Sequence, residues 1–235
     1  HPGSLNPRTG LMRNANSTEL NGHALDTDIE RAIGRPVRCA NDANCFALSE
    51  ARDGAGRGAA SVFGVIIGTG VGGGIVINAE LWEGASRLGG EWGHTGLPWP
   101  TPDEVPGPDC KCGLQGCLES WISGPAISAD HRHSTGADLA AEAIVAAAEA
   151  GDRAARATID RFESRLPRGL AAVINIVDPE VIVLGGGLSN IPGLAERIEA
   201  KLPTHVFSDE MTTRVRRHAH GDSSGVRGAA WLWPI

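Results

Sequence analysis

The chain has 235 residues, of which 41% are hydrophobic and 21% are charged, enough to bury one large core or two small ones. Its formal net charge of −7 argues against a general affinity for nucleic acid or anionic membranes, because those partners select a concentrated excess of lysine and arginine. No run approaches the ~18 consecutive apolar residues of a membrane span and no charged-then-apolar leader opens the sequence, so we expect a cytoplasmic protein.

Predicted helices and strands alternate along the chain. Residues 1–21 are rich in Pro, Gly, Asn and Ser and predict a loop with at most one short strand. Helical spacing and β-branched runs then predict helices over 26–34, 43–52, 137–150, 152–176, 190–202 and 223–233, and strands over 36–40, 61–67, 74–77, 181–184 and 212–217. Pro167 should kink or split its helix. This alternation predicts an α/β fold with helices flanking a mixed sheet.

Three of the five cysteines, Cys110, Cys112 and Cys117, crowd into one short glycine-containing segment. Thiolates on a tight turn can reach adjacent corners of one tetrahedron, and His94, upstream of a proline-rich loop, is the best candidate for the fourth corner. Three cysteines and one histidine leave no open coordination position, so we predict a structural zinc site. The alternative is a reduced thiol cluster without metal.

Two glycine clusters follow predicted strands. Gly68 to Gly74 joins two strands, and its bare backbone would let N–H groups approach phosphate oxygens, although the cluster contains no lysine. Gly185 to Gly187 ends a buried strand just before a helix, whose N-terminus favours anions. For both clusters a tight connection without any ligand is an equally open interpretation.

Carboxylates accompany these features. Asp42, after Asn41, stands where a strand ends and a helix begins, a position suited to a helix cap or to a catalytic base. Glu91 and Glu119 each lie within three residues of a predicted metal ligand. A metal-held turn would place both rigidly, as acceptors for polyol hydroxyls should be placed, whereas isolated glutamates are more often solvated surface groups.

In their order along the chain, these motifs resemble the ROK family of bacterial sugar kinases and sugar-responsive repressors, which has the actin-like ATPase (ribonuclease H-like) fold. The resemblance covers essentially the whole chain and is carried by Asn41-Asp42-Ala43-Asn44, Gly68-Thr69-Gly70-Val71-Gly72-Gly73-Gly74, Gly90-Glu91-Trp92-Gly93-His94, Cys110 to Glu119 and Leu184-Gly185-Gly186-Gly187. It implies a homodimeric enzyme that uses ATP, Mg²⁺ and one structural Zn²⁺ to phosphorylate the 6-hydroxyl of a hexose.

The resemblance also implies roles for individual residues. Asp42 would be the general base. His94 would serve both sugar and zinc, through different ring nitrogens. The implied sugar-binding residues are Gly3, Thr18, Asn41, Asp42, Glu91, His94 and Glu119. The implied zinc ligands are His94, Cys110, Cys112 and Cys117. The ATP phosphates would contact Gly68, Thr69, Gly70 and Gly72, and the adenosine would contact Gly185, Gly186 and Gly187.

Within the family the chain resembles fructokinases that also accept mannose, on segments 14–18, 90–99 and 220–231. We therefore expect fructose as the substrate, with mannose as a second possibility. N-acetylglucosamine and glucose kinases resemble it nearly as well. A non-catalytic sugar-sensing regulator or a sugar-binding remnant is the alternative outside the enzyme class.

One family motif, an Asp-x-Gly-Gly-Thr phosphate hairpin, is absent from the sequence. We therefore expect an incomplete N-terminal lobe, with residues 1–40 as the remnant of a small domain and hinge. Residues 41–235 would form the large α/β domain, with a zinc-binding loop over 94–119 and a C-terminal helix over 222–233 that packs back toward the small domain. Truncation, an omitted N-terminal piece or a degenerate relative would each explain the missing hairpin. Half of the ATP clamp would then be lacking, so we expect low competence of this chain alone.

Overall fold

The computed structural model describes residues 1–15 and 17–233, without the side chain of Asp222. Asn16, in the segment over 14–18 that carries part of the family resemblance, therefore lies outside the described residues, as do Pro234 and Ile235. The strands are β1 (Ser4–Leu5), β2 (Met12–Arg13), β3 (Ser61–Ile67), β4 (Val71–Ile77), β5 (Glu80–Trp82), β6 (Val181–Gly185) and β7 (Arg214–Arg217). The α-helices are α1 (Leu25–Ile33), α2 (Asp42–Asp53), α3 (Glu119–Ile122), α4 (Gly124–Thr135), α5 (Ala141–Glu149), α6 (Arg153–Val177), α7 (Leu194–Lys201) and α8 (Ser224–Ala230).

A mixed sheet with the strand order β5-β4-β3-β6-β7 forms the centre of the molecule. Strands β3, β4 and β5 are antiparallel neighbours, whereas β6 is parallel to β3 and β7 is parallel to β6. The register pairs Ile67 with Val71 at the tip of the β3–β4 hairpin, and Ile66 with Gly185 across the parallel pair. Both predicted glycine clusters therefore follow strands that end at the same edge of the sheet, which is where α/β folds bind ligands.

Strand alternation divides the core into two layers. Val62 of β3 and Val183 of β6 pack with α2 on one face, whereas Phe63 and Ile182 pack with the long helix α6 on the other. Successive strand side chains point to opposite faces, so one β-branched run supplies both layers. Among the described helices, none combines the length and apolarity that a bilayer crossing requires.

Helix α2 lies unusually close to the β3–β4 hairpin. A Cβ at Gly64 would stand 2.6 Å from the Cβ of Ala47, and one at Gly74 would stand 2.8 Å from the same atom. A Cβ at Gly72 would lie 3.1 Å from the Cβ of Ala43. Part of the predicted phosphate cluster therefore serves helix packing, which the sequence pattern alone does not separate from ligand binding.

Residues 1–40 form their own two-stranded sheet, β1–β2, over a small cluster that includes Leu5, Met12 and Ala15. The predicted strand over 36–40 is not formed. Its carbonyl at Ala40 instead accepts a hydrogen bond from the amino group of His1 at 3.3 Å.

At the other end of the chain, the predicted C-terminal helix is shorter than expected and packs against α2. The segment after it reaches Arg38, whose guanidinium lies 4.7 Å from the Trp233 ring centre.

Helix α6 continues unbroken through Pro167, so the prediction of a split there is wrong. A proline lacks the N–H that would bond the carbonyl four residues earlier, here that of Glu163. Lys201 of α7 supplies the missing donor, with its Nζ 3.2 Å from the Glu163 carbonyl oxygen. A partner from another helix therefore compensates for the proline.

Candidate functional site

The N-terminus of α2 presents two neighbouring polar side chains with different tasks. The amide oxygen of Asn41 caps the helix by accepting the N–H of Ala43 at 2.9 Å. Its amide nitrogen donates to the carbonyl of Gly3 at 3.1 Å. Asp42 is exposed, and its Oδ1 also accepts the N–H of Ala43, at 2.9 Å. Asn41 is thus the helix cap, and the Asp42 carboxylate, which shares the Ala43 N–H, is exposed at the start of the helix, where a ligand could reach it.

The two sugar-site candidates from the first twenty residues differ in their placement. Gly3 has φ +73°, and a Cβ there would collide with the backbone of Arg13 and Ala15. The Gly3 carbonyl accepts the hydrogen bond from the Asn41 amide, and this bond connects Gly3 to the start of α2. Thr18 is exposed at the start of a 3₁₀ turn, and no hydrogen bond within residues 1–15 and 17–233 joins its side chain to another predicted site residue.

The loop over 90–94 is fastened to β4. The indole N–H of the buried Trp92 donates to the carbonyl of Gly72 at 3.0 Å. Gly90 has φ +93°, and a Cβ there would collide with the β4 backbone. Glu91 and His94 lie on either side of this anchored tryptophan, and their side chains are exposed and half-buried, respectively. The contacts of Gly90 and Trp92 with β4 therefore fix the backbone positions of both residues.

The four predicted metal ligands come together. Their ligand atoms all lie within 4.8 Å of one another. His94 Nδ1 is 3.5 Å from Cys110 Sγ, and Cys112 Sγ is 3.6 Å from Cys117 Sγ. A tetrahedron with bonds of about 2.3 Å to sulfur and 2.0 Å to nitrogen has edges of roughly 3.5 to 3.8 Å. These two distances match such edges, and three thiols with one imidazole are a donor set that suits one zinc ion.

The pKa values of two thiols in this cluster, those of Cys117 and Cys112, are shifted in opposite directions. Burial raises the pKa of Cys117 to about 12, and its contacts with Cys112 and Cys110 act in the same direction. The pKa of Cys112 is lowered, chiefly by the backbone N–H of Leu114. Packed thiols cannot all ionise without a compensating positive charge, and a divalent metal would supply that charge.

Glu119 lies at the tip of the β3–β4 hairpin. Its Oε2 accepts the N–H of Val71 at 2.9 Å, and its Oε1 lies 3.0 Å from Nζ of Lys111. A Cβ at Gly70 would stand 2.8 Å from the same Oε2, so the carboxylate packs directly on the glycine turn. Sequence reasoning identified Glu119 but missed Lys111. The available signal was a lysine between two cysteines predicted as metal ligands, in a chain whose other lysine is Lys201.

The two glycine clusters abut at the carboxyl edge of the sheet. The N–H of Gly68 donates to the carbonyl of Gly70 at 2.9 Å, which closes the turn, and Thr69 is exposed on it. Gly186 has φ +80°, and a Cβ there would stand 2.5 Å from the carbonyl oxygen of Ile67, beside that turn. Gly185 precedes it at the end of β6, where a Cβ would collide with the ring of Phe46, and Gly187 opens the following 3₁₀ turn.

A buried ionic cluster that sequence reasoning missed supports the loop over 94–119 that carries the candidate metal ligands, called the metal loop below. Glu104 accepts hydrogen bonds from Arg168 at 2.8 Å and from Arg165 at 2.9 Å. Arg168 also donates to the carbonyl of Trp99 at 2.9 Å. Although burial alone would raise the pKa of Glu104, these arginines and the N–H of Thr101 lower it to about 2. The cluster fixes the proline-rich loop to α6.

A cavity of about 400 Å³ lies away from these residues. It is lined by Glu180, Arg214 and neighbouring residues at the amino ends of β3, β6 and β7. None of the predicted site residues lines it. The candidate site is therefore the polar edge at the hairpin tip, not this cavity.

Comparison with known proteins identifies the family. The ROK family model matches residues 1–235. The chain belongs to the ROK family. N-acetyl-D-glucosamine kinase of Aliivibrio salmonicida is 40% identical to it over 235 residues, which cover 98% of this chain and 78% of that protein.

Solved ROK structures share the fold. The ROK hexokinase from Thermus thermophilus superposes with a TM-score of 0.84 at 33% identity, over 97% of this chain and 75% of that one. A ROK family glucokinase from Streptomyces griseus, in complex with glucose and AMPPNP, superposes with a TM-score of 0.81 at 28% identity, over 98% and 78%. The family resemblance and the predicted α/β, actin-like ATPase fold are therefore confirmed.

Proposed function

We propose that this ROK protein is an ATP-dependent sugar kinase that phosphorylates the 6-hydroxyl of N-acetyl-D-glucosamine. The kinase assignment is supported by the sugar kinases among its relatives, and ATP with Mg²⁺ follows from that class. The sugar is supported by the curated relatives that are N-acetyl-D-glucosamine kinases at 38 to 40% identity. Our sequence-based preference for fructose finds no such support, and its alternative, N-acetylglucosamine, is better matched.

The observation that carries the proposal is the contact between Glu119 and the N–H of Val71. It joins a carboxylate suited to sugar hydroxyls to the turn suited to phosphate oxygens. A kinase needs its two substrates in line at van der Waals distance, because phosphoryl transfer is catalysed largely by positioning and charge stabilisation. A sugar-binding carboxylate that is hydrogen-bonded to the residue directly after the phosphate turn would meet that requirement.

In this proposal Asp42 takes the proton from the attacking 6-hydroxyl. Its exposed carboxylate stands at the N-terminus of α2 while Asn41 caps the helix. General-base assistance of this kind contributes about 10²- to 10⁴-fold to the rate. Gly3, Thr18, Asn41, Glu91, His94 and Glu119 would hold the remaining sugar hydroxyls. Gly68, Thr69, Gly70 and Gly72 would contact the phosphates, with Gly185, Gly186 and Gly187 against the adenosine.

The zinc in this proposal is structural. His94, Cys110, Cys112 and Cys117 would fill all four positions, so the metal would hold the loop and leave the chemistry to the side chains. His94 turns Nδ1 toward Cys110, which leaves Nε2 for a sugar hydroxyl. Metal binding at Nδ1 would fix the tautomer and the direction of that second N–H.

Three further expectations remain part of the proposal. Residues 1–40, with their separate sheet, would belong to a small lobe, and residues 41–235 to the large domain. The enzyme would be a homodimer. It would act in the cytoplasm.

A coupled ADP-release assay on the intact gene product tests the proposal. With N-acetyl-D-glucosamine, glucose, mannose and fructose as substrates, we expect the highest kcat/KM for N-acetyl-D-glucosamine. A higher value for fructose would restore the fructokinase assignment. Sugar binding without ADP release from any sugar would instead identify a regulator or a sugar-binding remnant.

A further inference from the structure

Glu119 is held at both carboxylate oxygens by partners from different parts of the fold. Oε2 accepts the N–H of Val71, the first residue of β4, and Oε1 pairs with the ammonium group of Lys111 in the metal loop. The Glu119 side chain is 13% exposed and that of Lys111 is 52% exposed. The carboxylate is therefore largely sheltered, and its cation reaches it from the solvent side.

We propose that Lys111 is a positioning residue for the sugar site, which fixes the Glu119 carboxylate against the hairpin tip before the sugar arrives. This inference rests on the proposed function. Lys111 itself would not touch the sugar; it would act through Glu119.

The backbone on both sides makes this role feasible. Lys111 stands between Cys110 and Cys112, whose sulfurs lie within 4.8 Å of the other predicted ligand atoms, so the metal loop determines where its side chain begins. On the opposite side, the hydrogen bond from the Val71 N–H to Oε2 and the close approach of Oε2 to Gly70 fix the position of the Glu119 carboxylate. A lysine whose backbone is fixed at one end and whose ammonium group meets a fixed carboxylate at the other can hold that carboxylate in one orientation.

One carboxylate contact alone would leave the group free to turn. A glutamate bound only through Oε2 can rotate Oε1 about its terminal torsion, which is broad and roughly two-fold. An ammonium group at Oε1 selects one orientation. The sugar would then meet an acceptor already in place, and the effect would be seen mainly in sugar affinity.

The competing interpretation is an ordinary surface ion pair, which contributes little. To separate the two, Lys111→Met, Lys111→Arg and the wild-type intact gene product are compared. Arg132→Met is the matched control. Arg132 lies on α4 and forms another exposed ion pair, with Asp138, so this variant also removes the cation of a surface pair. The measurements are KM for N-acetyl-D-glucosamine, KM for ATP, kcat, zinc content, and hydrogen exchange of the Val71 amide.

For Lys111→Met we expect KM for the sugar to rise roughly three- to tenfold, the range of one charge-assisted contact. KM for ATP and the zinc content should stay within twofold of wild type, while the Val71 amide exchanges faster. Lys111→Arg should restore most of both effects, and Arg132→Met should change neither.

Three results would overturn the inference. They are a sugar KM and Val71 exchange that do not change in Lys111→Met, a loss of zinc in that variant, or a Lys111→Arg protein as impaired as Lys111→Met. If the wild type phosphorylates no sugar, the proposed function fails separately. Val71 exchange and sugar binding by calorimetry then still decide whether Lys111 positions Glu119.

Discussion

Gly228 of α8 lies directly on the backbone of Cys45 in α2, with no room for a Cβ between them. Ser224 of α8 reinforces the contact through its hydroxyl, which donates to the buried carboxylate of Glu50 at 2.8 Å. The C-terminal helix therefore supports the helix that begins at Asn41 and Asp42.

Gly228→Ala should destabilise the protein by roughly 3 kcal/mol or more, because the added methyl group overlaps main-chain atoms that cannot move independently. Gly225 in the same helix is the matched control, since a Cβ there meets nothing within 4 Å. Gly225→Ala should be neutral or stabilising by up to about 1 kcal/mol through helix propensity. Urea unfolding measures both, and equal stability of the two variants would contradict the packing argument.

Asp42→Asn should retain sugar binding and lose about 10²- to 10⁴-fold in kcat, because the amide cannot accept the hydroxyl proton. Steady-state kinetics and sugar calorimetry check the two halves of this expectation. Asp138→Asn, which changes an exposed carboxylate on another part of the surface, should leave kcat unaltered. An Asp42→Asn enzyme with wild-type turnover would assign the base elsewhere.

Cys112→Ser should reduce bound zinc from about one equivalent per chain to almost none, since a hydroxyl is a poor substitute for a thiolate ligand. Metal analysis after dialysis measures it. Cys39→Ser is the control, because Cys39 lies outside the ligand cluster and its thiol should be dispensable for the metal. Full zinc in Cys112→Ser would mean that the ligands are wrongly assigned.

Glu104 predicts a specific acid sensitivity. Its pKa in the folded protein is about 2, below the ordinary value of 4.5, so its stabilising effect is complete above about pH 4.5 and disappears as the pH falls toward 2. Glu104→Gln should cost roughly 3 kcal/mol at pH 7, because it leaves Arg165 and Arg168 buried without their anion. The difference from wild type in urea unfolding should shrink between pH 4.5 and 2.5. A difference that does not vary with pH would exclude this ion cluster as its source.

Lys201 and Pro167 should be energetically coupled. Lys201→Met removes the donor to the Glu163 carbonyl and should cost about 1 kcal/mol. In a Pro167→Ala background the cost should be smaller, because the helix regains its own N–H for that carbonyl. Thermal unfolding of the four proteins in this cycle gives the coupling, and strict additivity would show that the two donors do not substitute for each other.

The sequence predicts the parts of this molecule that depend on local pattern. Strand β3 is a β-branched run whose alternate residues, such as Val62 and Phe63, supply opposite core layers, and its bounds are predicted correctly. The four candidate metal ligands, which the structure brings together, follow from donor type and spacing alone. The same local rule places a cap at the start of α2, although the sequence suggested Asp42 for it and the structure has Asn41.

What the sequence does not reveal depends on partners from far along the chain. Pro167 predicts a kink or split in its helix, because the sequence does not show that Lys201, on another helix, replaces the missing N–H donor. Helix α4 was missed, and the predicted helix over 137–150 begins only at Ala141. Gly72 is predicted as a phosphate contact, and the sequence does not show that Ala43 also packs against it. The sugar itself is read by hydroxyl stereochemistry, which motif spacing does not resolve.

The β3–β4 turn has a length constraint that both substrates would share. Its last glycine, Gly70, touches Glu119, and its first, Gly68, takes part through its carbonyl in a hydrogen bond with the N–H of Gly124 at 2.8 Å. An insertion of even one residue in the turn would move its backbone away from the Glu119 carboxylate. The proposed sugar site and the proposed phosphate site would then be displaced by the same change. Evolution could therefore vary the sugar through the surrounding loops while leaving this short bend unchanged.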